Sequence, residues 1–115
     1  MKFKSKQTIY NLYFTKSEFE DILYGLNDRR DYFVSLKDET LKVTILSLEA
    51  LIEKIEKIIS SFAEEDEVPV SLERSELVTV SHGLFNLSET YEEFKDWENL
   101  SRVWDFYKEI EDVLR

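Results

Sequence analysis

Residues 10–26 read YNLYFTKSEFEDILYGL, and residues 68–84 read VPVSLERSELVTVSHGL. Each stretch opens with alternating apolar residues, a pattern typical of a short strand with one buried face. Each continues with apolar residues at helical spacing and ends on Gly-Leu. The second stretch begins half a chain length after the first, so the sequence predicts that one structural unit occurs twice.

The similarity extends beyond these stretches, because residues 10–56 align with residues 68–114 without a gap, although only eight of the 47 pairs are identical. Two unrelated amphipathic helical hairpins could align this well through their shared periodicity alone. Both glycines of the chain, Gly25 and Gly83, coincide in the alignment. This coincidence favours duplication, and it predicts that both glycines lie where two helices approach closely.

Helix-start signals follow the predicted strand of each unit. In the first unit, Thr15 and Glu18 have the spacing of a capping box, and Phe14 and Phe19 have that of a hydrophobic staple. The second unit repeats this pattern with an acidic residue in place of the threonine, in Leu72, Glu73, Glu76 and Leu77. A helix is therefore predicted to begin at the same point of both units.

Two amphipathic stripes follow in each unit, separated by a Lys-Asp pair that predicts a hairpin turn with the Asp as the next N-cap. In the first unit the stripes are Phe19, Ile22, Leu26, Phe33 and Leu36, then Leu41, Ile45, Leu48, Ile52, Ile55, Ile59 and Phe62. In the second unit they are Leu77, Val80, Leu84, Leu87, Tyr91 and Phe94, then Leu100, Val103, Tyr107, Ile110 and Leu114.

The predicted fold is a single, mainly α domain over residues 1–115, resembling a four-helix bundle. It consists of two tandem strand-plus-helical-hairpin repeats, at about residues 8–63 and 68–115, joined by an acidic linker at 64–67. The two strands are expected to form a short two-stranded β element, and the repeats to be related by a pseudo-two-fold rotation. Pro69 lacks a backbone donor, which requires an edge strand.

The composition argues against several classes of function. One His, no Cys and no glycine-rich loop leave few groups for acid, base or nucleophilic catalysis, so an enzyme, a cofactor or a metal site is not expected. A net charge of −10 argues against direct nucleic-acid binding. Charges interrupt every apolar run, and no signal peptide is visible, so a cytoplasmic protein without membrane contact is expected. His82 is interpreted as a helix-packing ring.

The charge is divided unequally between the two units. Residues 1–57 contain ten acids and ten bases, whereas residues 58–115 contain fifteen acids and five bases. Drift towards solubility would explain this asymmetry, but so would an acidic docking surface. The residues predicted to contact a partner are Glu64, Glu65, Asp66, Glu67, Glu89, Glu92, Glu93, Asp96 and Trp97, with Glu109, Glu111 and Asp112 as further acids near the C-terminus.

Two other features break the pattern of the repeats. Arg29 interrupts the apolar stripe of the first unit, and its head is expected to reach Asp28, Asp31 or solvent. Aromatic residues occupy more faces of the last helix and its approach than a single buried stripe can use, in Trp97, Trp104, Phe106 and Tyr107. Any of these rings left exposed beside acids would resemble the centre of a protein interface.

The sequence therefore predicts a non-catalytic, acidic protein-binding module. An inhibitor-type protein that occupies a basic surface of its partner fits this pattern, whether an immunity protein, an antitoxin or a phage anti-defence protein. A nucleic-acid-binding enzyme is one candidate partner. The alternative is a structural or regulatory helical module that pairs with itself, as a homodimer, or with another helical protein. Salt separates the two, because it weakens electrostatic docking more than apolar association.

Overall fold

The computed structural model describes residues 9–62 and 66–115. In this part of the chain the predicted arrangement of four helices and one short two-stranded sheet is confirmed. The elements are β1 (Ile9–Thr15), α1 (Lys16–Ser35), α2 (Lys42–Ser61), β2 (Glu67–Glu73), α3 (Arg74–Glu93) and α4 (Trp97–Leu114), with a short 3-10 helix at Glu39–Leu41 before α2.

The two strands pair antiparallel, as predicted, with Leu12 opposite Val70 at the centre of the ladder. The inward-facing residues of β2 are all buried, and on β1 Phe14 is buried while Tyr10 and Leu12 pack against the core. Pro69 is tolerated in β2 because a two-stranded sheet has only edge strands. The sheet thus contributes one apolar face to the core.

The start of α1 has the predicted capping box. The backbone N–H of Glu18 donates to Thr15 Oγ1 at 3.1 Å, and the backbone N–H of Thr15 donates to Glu18 Oε1 at 2.8 Å. The rings of Phe14 and Phe19 meet edge to face with centroids 5.4 Å apart, which confirms the hydrophobic staple. The turn from strand to helix is therefore fixed by side chains on both of its sides.

The start of α3 is held in a related way. The backbone N–H of Glu73 donates to Glu76 Oε1 at 2.9 Å, and Leu72 and Leu77 are both buried. Glu76 also accepts two hydrogen bonds from Lys54 Nζ on α2, at 2.9 and 3.1 Å. One carboxylate thus caps its own helix and connects that helix to α2.

Helices α1 and α3 cross at their glycines. A Cβ added at Gly25 would lie 2.4 Å from the carbonyl oxygen of Gly83, and one added at Gly83 would lie 3.1 Å from the carbonyl carbon of Gly25. The predicted close approach is confirmed. The core forms around this crossing and comprises Phe14, Phe19, Ile22, Leu26, Leu48, Leu51, Ile52, Ile55, Val68, Val70, Leu72, Leu77, Val80, Leu84, Leu87, Val103, Phe106, Ile110 and Leu114.

The ends of the predicted stripes nearest the two hairpin turns do not belong to this core, and of these residues Leu41, Ile45 and Leu100 are partly buried. Leu36 and Phe94 are exposed, Phe94 by 75%. Leu36 and Phe94 are the C-cap residues of α1 and α3, so each lies one residue beyond the end of its helix. The heptad pattern identifies the apolar face correctly but does not show how far along the helix that face is covered.

The hairpin turns contain the predicted Asp caps. Asp38 Oδ1 accepts from the backbone N–H of Thr40 at 2.9 Å, and Asp96 Oδ1 accepts from that of Asn99 at 3.3 Å. Asp38 caps the 3-10 helix rather than α2 itself. The lysine before each cap adopts a left-handed conformation, with φ of 53° at Lys37 and 56° at Lys95.

Lys37→Gly should stabilise the domain, because a Cβ in the left-handed region costs about 1 kcal/mol that Gly does not incur. For a domain of this size, that gain raises the melting temperature by about 4 °C. Thermal unfolding followed by circular dichroism measures it. The same substitution at Lys57, an exposed position of α2, should instead destabilise by about 1 kcal/mol, because Gly is unfavourable within a helix. A lower melting temperature for Lys37→Gly would contradict the strained turn.

Candidate binding groove

A groove of about 520 Å³ lies between α3 and α4. Its lining residues recur at helical spacing over about two turns of each helix, so the groove runs along both helices rather than across them. The α3 wall is formed by Phe85, Ser88, Glu89 and Glu92, and the α4 wall by Trp97, Leu100, Ser101 and Trp104.

Three of the four apolar side chains that line the groove are aromatic, the exception being Leu100. Trp97, Phe85 and Trp104 are 59%, 40% and 38% exposed. Trp104 stacks on Tyr107 with ring centroids 5.1 Å apart, and Phe85 contacts the same tyrosine at 5.6 Å. Phe85, Trp104 and Tyr107 thus support one another, and their arrangement exists without a partner. Both tryptophans of the chain lie here, so their fluorescence reports on this groove.

Carboxylates lie only on the α3 wall, at Glu89 and Glu92. On the other side of α3, Glu89 and Glu93 line a second groove with Asp28 of α1. Burial and the nearby Asp31 raise the pKa of Asp28. Within the described residues, neither Glu89, Glu92 nor Glu93 forms a salt bridge. The ridge of α3 therefore presents uncompensated negative charge on both flanks.

The structure brings together only some of the predicted partner-binding residues. Glu89, Glu92 and Trp97 line the groove, whereas Glu93 faces the neighbouring groove. Asp96 is engaged as the N-cap of α4 and also accepts from the side-chain amide of Asn99 at 2.6 Å. Asp66 and Glu67 are exposed at the start of β2 and do not line the groove, and Glu64 and Glu65 lie outside the described residues.

Sequence reasoning misses part of the apolar lining. Phe85 lies outside the predicted apolar stripe of α3. A large apolar residue outside the buried stripe of its helix is the one sign in the sequence that this position could belong to a binding surface. Trp104, one of the surplus aromatics, is indeed partly exposed, whereas Phe106 is buried and its ring lies 5.6 Å from that of Phe14. Leu100 belongs to a predicted core stripe but is only partly buried and lines the groove.

A smaller groove of about 330 Å³ occupies the corresponding place in the first hairpin, between α1 and α2. Four of its eight lining residues, Val34, Glu39, Lys42 and Leu46, are the aligned equivalents of Glu92, Trp97, Leu100 and Trp104 in the α3–α4 groove. The other four are Phe33, Lys37, Asp38 and Ile45. The two grooves therefore share their position in the hairpin but differ in charge and aromatic content. The first combines basic and acidic side chains, and the second is acidic and aromatic.

Arg29 has a different partner from those expected. Its guanidinium lies over the ring of Phe33, 4.8 Å from the centroid, and burial lowers the pKa of Arg29. Asp31 instead pairs with Arg30 at 3.2 Å. His82, interpreted from the sequence as a helix-packing ring, is exposed. Neither residue belongs to the α3–α4 groove.

A salt bridge between distant parts of the chain fixes α4 against α1. Arg102 donates from Nη2 to Asp21 Oδ1 at 2.8 Å and from Nε to Asp21 Oδ2 at 3.1 Å. Asp21 is almost fully buried, and the hydrogen bond to it raises the pKa of Arg102. Burial, together with the charge of Asp21, raises the pKa of the neighbouring Tyr91. None of these three residues lines the α3–α4 groove.

Among the described residues, no group of three or more His, Cys, Asp and Glu side chains is placed to hold a metal ion. No helix within residues 9–62 and 66–115 has both the length and the apolarity needed to cross a bilayer. No protein-family model matches the chain, and no curated protein or solved structure is significantly similar to it.

Proposed function

We propose that this chain is a non-catalytic binding protein whose α3–α4 groove binds a protein with a basic surface. The observation that carries this proposal is that three exposed aromatic rings and two unpaired carboxylates share one groove. Exposed aromatic anchors supply most of the energy at protein interfaces, and charges at the margin increase the association rate with an oppositely charged partner.

The structure supports a duplicated origin as part of the same proposal. Strands Ile9–Thr15 and Glu67–Glu73 begin and end at aligned positions, and so do helices Lys16–Ser35 and Arg74–Glu93. Leu12 faces Val70, its aligned equivalent, across the sheet, and Gly25 meets Gly83 at the helix crossing. A pseudo-two-fold axis produces contacts of this kind, between a residue and its own equivalent. One hairpin would then have kept a mixed groove while the other acquired an acidic, aromatic one.

Within this proposal the partner is a basic protein, and an enzyme that binds nucleic acid is a suitable class. Such enzymes carry clusters of Lys and Arg that neutralise phosphates, and an acidic protein can occupy the same cluster. Immunity proteins, antitoxins and phage anti-defence proteins would act in this way. The entire net charge of −10 lies in residues 58–115, the half that contains the groove. The lack of cysteine fits a reducing compartment, so the cytoplasm is the proposed location.

Replacing Glu89 and Glu92 together by Lys should weaken partner binding by about ten-fold or more and leave folding intact. Both side chains are exposed on α3, so their replacement does not disturb the core, and a Lys at position 89 can pair with Glu93 one turn further on. At low salt, the immobilised variant should capture about ten-fold less partner, or less still, from extracts of the source organism than the immobilised wild type does. Far-UV circular dichroism and thermal unfolding should be close to wild type.

The matched control is Glu49→Lys with Glu56→Lys on α2, which changes the net charge equally at exposed positions away from the groove. This control should retain the partner. If the Glu89→Lys, Glu92→Lys variant binds as well as wild type at both low and moderate salt, docking through this groove is wrong.

Self-association is the second candidate function, and one observation favours it. Val34, Val43 and Leu46 are exposed around the first hairpin, whose residues belong to the half of the chain without net charge. Two copies could therefore meet there without the repulsion that the acidic half would impose. A homodimer of this kind would show a sedimentation coefficient that depends on protein concentration but little on salt.

A further inference from the structure

We infer that the segment bound in the α3–α4 groove is a basic, amphipathic α-helix of the partner, with its apolar face on Trp97, Leu100 and Trp104 and its Lys or Arg side chains beside Glu89 and Glu92. This inference rests on the proposed function and adds the chemistry of the occupant. It follows from the shape of the groove, from the nature of its walls and from the one-sided position of its charges.

The length and shape of the groove suit a helix. Phe85 and Glu92 are seven residues apart on α3, and Trp97 and Trp104 are seven residues apart on α4. At 1.5 Å per residue, both walls extend for about 10 Å, or two helical turns. A third helix can place the ridge formed by its residues i, i+3 or i+4, and i+7 between two such walls.

The walls argue against an extended peptide. Both are helices, whose backbone N–H and C=O groups are already paired within each helix, so the groove offers side chains alone. A bound strand would leave its own backbone groups without partners in the groove, at a cost in free energy. A helix pairs its backbone groups internally and presents only side chains. It is therefore the form of peptide that this groove can accept most readily.

The charges define the orientation of the occupant's faces. Glu89 and Glu92 lie on the α3 wall, whereas the α4 wall has no charged residue among those that line the groove. Glu93 and Asp28 extend the negative surface beyond the α3 ridge. The occupant should therefore place Leu-like or aromatic side chains against α4 and two cations, one turn apart, against α3.

The α1–α2 groove serves as a comparison within the same molecule. Val34 stands there in place of Glu92, and Lys42 in place of Leu100. That groove also has two carboxylates, on Asp38 and Glu39, but a basic helix there would meet the ammonium groups of Lys37 and Lys42 and no tryptophan. The α3–α4 groove should therefore be preferred for a basic helix.

The test uses three synthetic peptides of equal length, each long enough for about four helical turns, and the fluorescence of Trp97 and Trp104. The first peptide is a Leu/Lys helix with Leu at i, i+3, i+4 and i+7, the second has the same composition with Leu and Lys alternating, and the third is the matching Leu/Glu helix. We expect the first to shift the emission to the blue with saturable binding. The alternating peptide should bind about ten-fold more weakly, and the Leu/Glu helix not at all.

Variants then locate the bound peptide. Trp97→Ala and the Glu89→Lys, Glu92→Lys variant should each weaken the Leu/Lys helix by about ten-fold or more, whereas Glu49→Lys with Glu56→Lys should not. Circular dichroism confirms that each variant is folded. The inference would be overturned if the helical and alternating Leu/Lys peptides bound equally well. It would also be overturned if Glu49→Lys with Glu56→Lys weakened peptide binding as much as Glu89→Lys with Glu92→Lys, because binding would then reflect general electrostatic attraction.

The two proposals can fail separately. If the Leu/Lys helix does not bind, but Glu89→Lys with Glu92→Lys still reduces partner capture by about ten-fold or more, the groove is a docking site and its occupant is not a basic helix. If the peptide does not bind and partner capture is unaffected by these substitutions, both proposals are wrong.

Discussion

Gly25→Ala is expected to lower the melting temperature of the domain by about 8 °C, which corresponds to about 2 kcal/mol. The added Cβ would lie 2.4 Å from the backbone carbonyl oxygen of Gly83, so α1 and α3 would have to separate. Overpacking of this kind costs about 1–3 kcal/mol, and more where the obstacle is backbone. The higher helix propensity of Ala returns about 1 kcal/mol. Thermal and urea unfolding measure the difference.

Gly83→Ala is the matched comparison and should have a smaller effect. Its added Cβ would lie 3.1 Å from the carbonyl carbon of Gly25, so the neighbouring helix needs to move by only a few tenths of an ångström. The gain in propensity then offsets most of the cost, and the stability should stay within about 1 kcal/mol of wild type. If both substitutions raised the melting temperature, the close crossing would be incorrect and the glycines would be ordinary helix defects.

Local signals in the sequence predict much of the fold. The capping box of Thr15 and Glu18, the staple of Phe14 and Phe19, and the alternation in β1 each depend on residues within a few positions of one another. Such signals act within one turn or one strand, so they can be recognised without knowing how the helices pack. The glycine pair is predictable from the alignment of the two units, although its members, Gly25 and Gly83, lie far apart in the chain.

The groove can be predicted only in part, because it depends on how α3 and α4 pack. Charge and composition identify the acids Glu89 and Glu92 and the ring of Trp97. They do not identify Phe85, because whether its ring lines the groove depends on how α3 is rotated about its own axis relative to α4. Periodicity defines the buried face of a helix, but the residues at the margin of that face are assigned by the neighbouring helix.

The salt bridge of Asp21 and Arg102 is beyond sequence reasoning for a related reason. The two residues are 81 positions apart, and each belongs to a different unit. The aligned equivalent of Asp21 is Thr79, and that of Arg102 is Thr44, so no repeated pattern indicates the pair. A contact between residues that are not equivalent in the two units occurs once in the fold. The alignment of the units therefore cannot predict it.

Removing Arg102 should be about as destabilising as Gly25→Ala. Asp21 is only 4% exposed, and Arg102 contacts both of its oxygens. Arg102→Ala leaves a buried carboxylate unpaired, which costs about 3–5 kcal/mol at a fully buried site. The Arg102 side chain is 45% exposed, so water can reach the vacated position and reduce the loss to about 2 kcal/mol.

Asp21→Ala should cost less, about 1 kcal/mol, because the partly exposed guanidinium of Arg102 can be solvated once its partner is gone. The double variant should be no less stable than Arg102→Ala alone, since it contains no unpaired carboxylate. A double-mutant cycle from urea unfolding should therefore give a coupling of at least about 1 kcal/mol. A coupling close to zero would mean that the two side chains stabilise the domain independently, and that this pair does not hold α4 on α1.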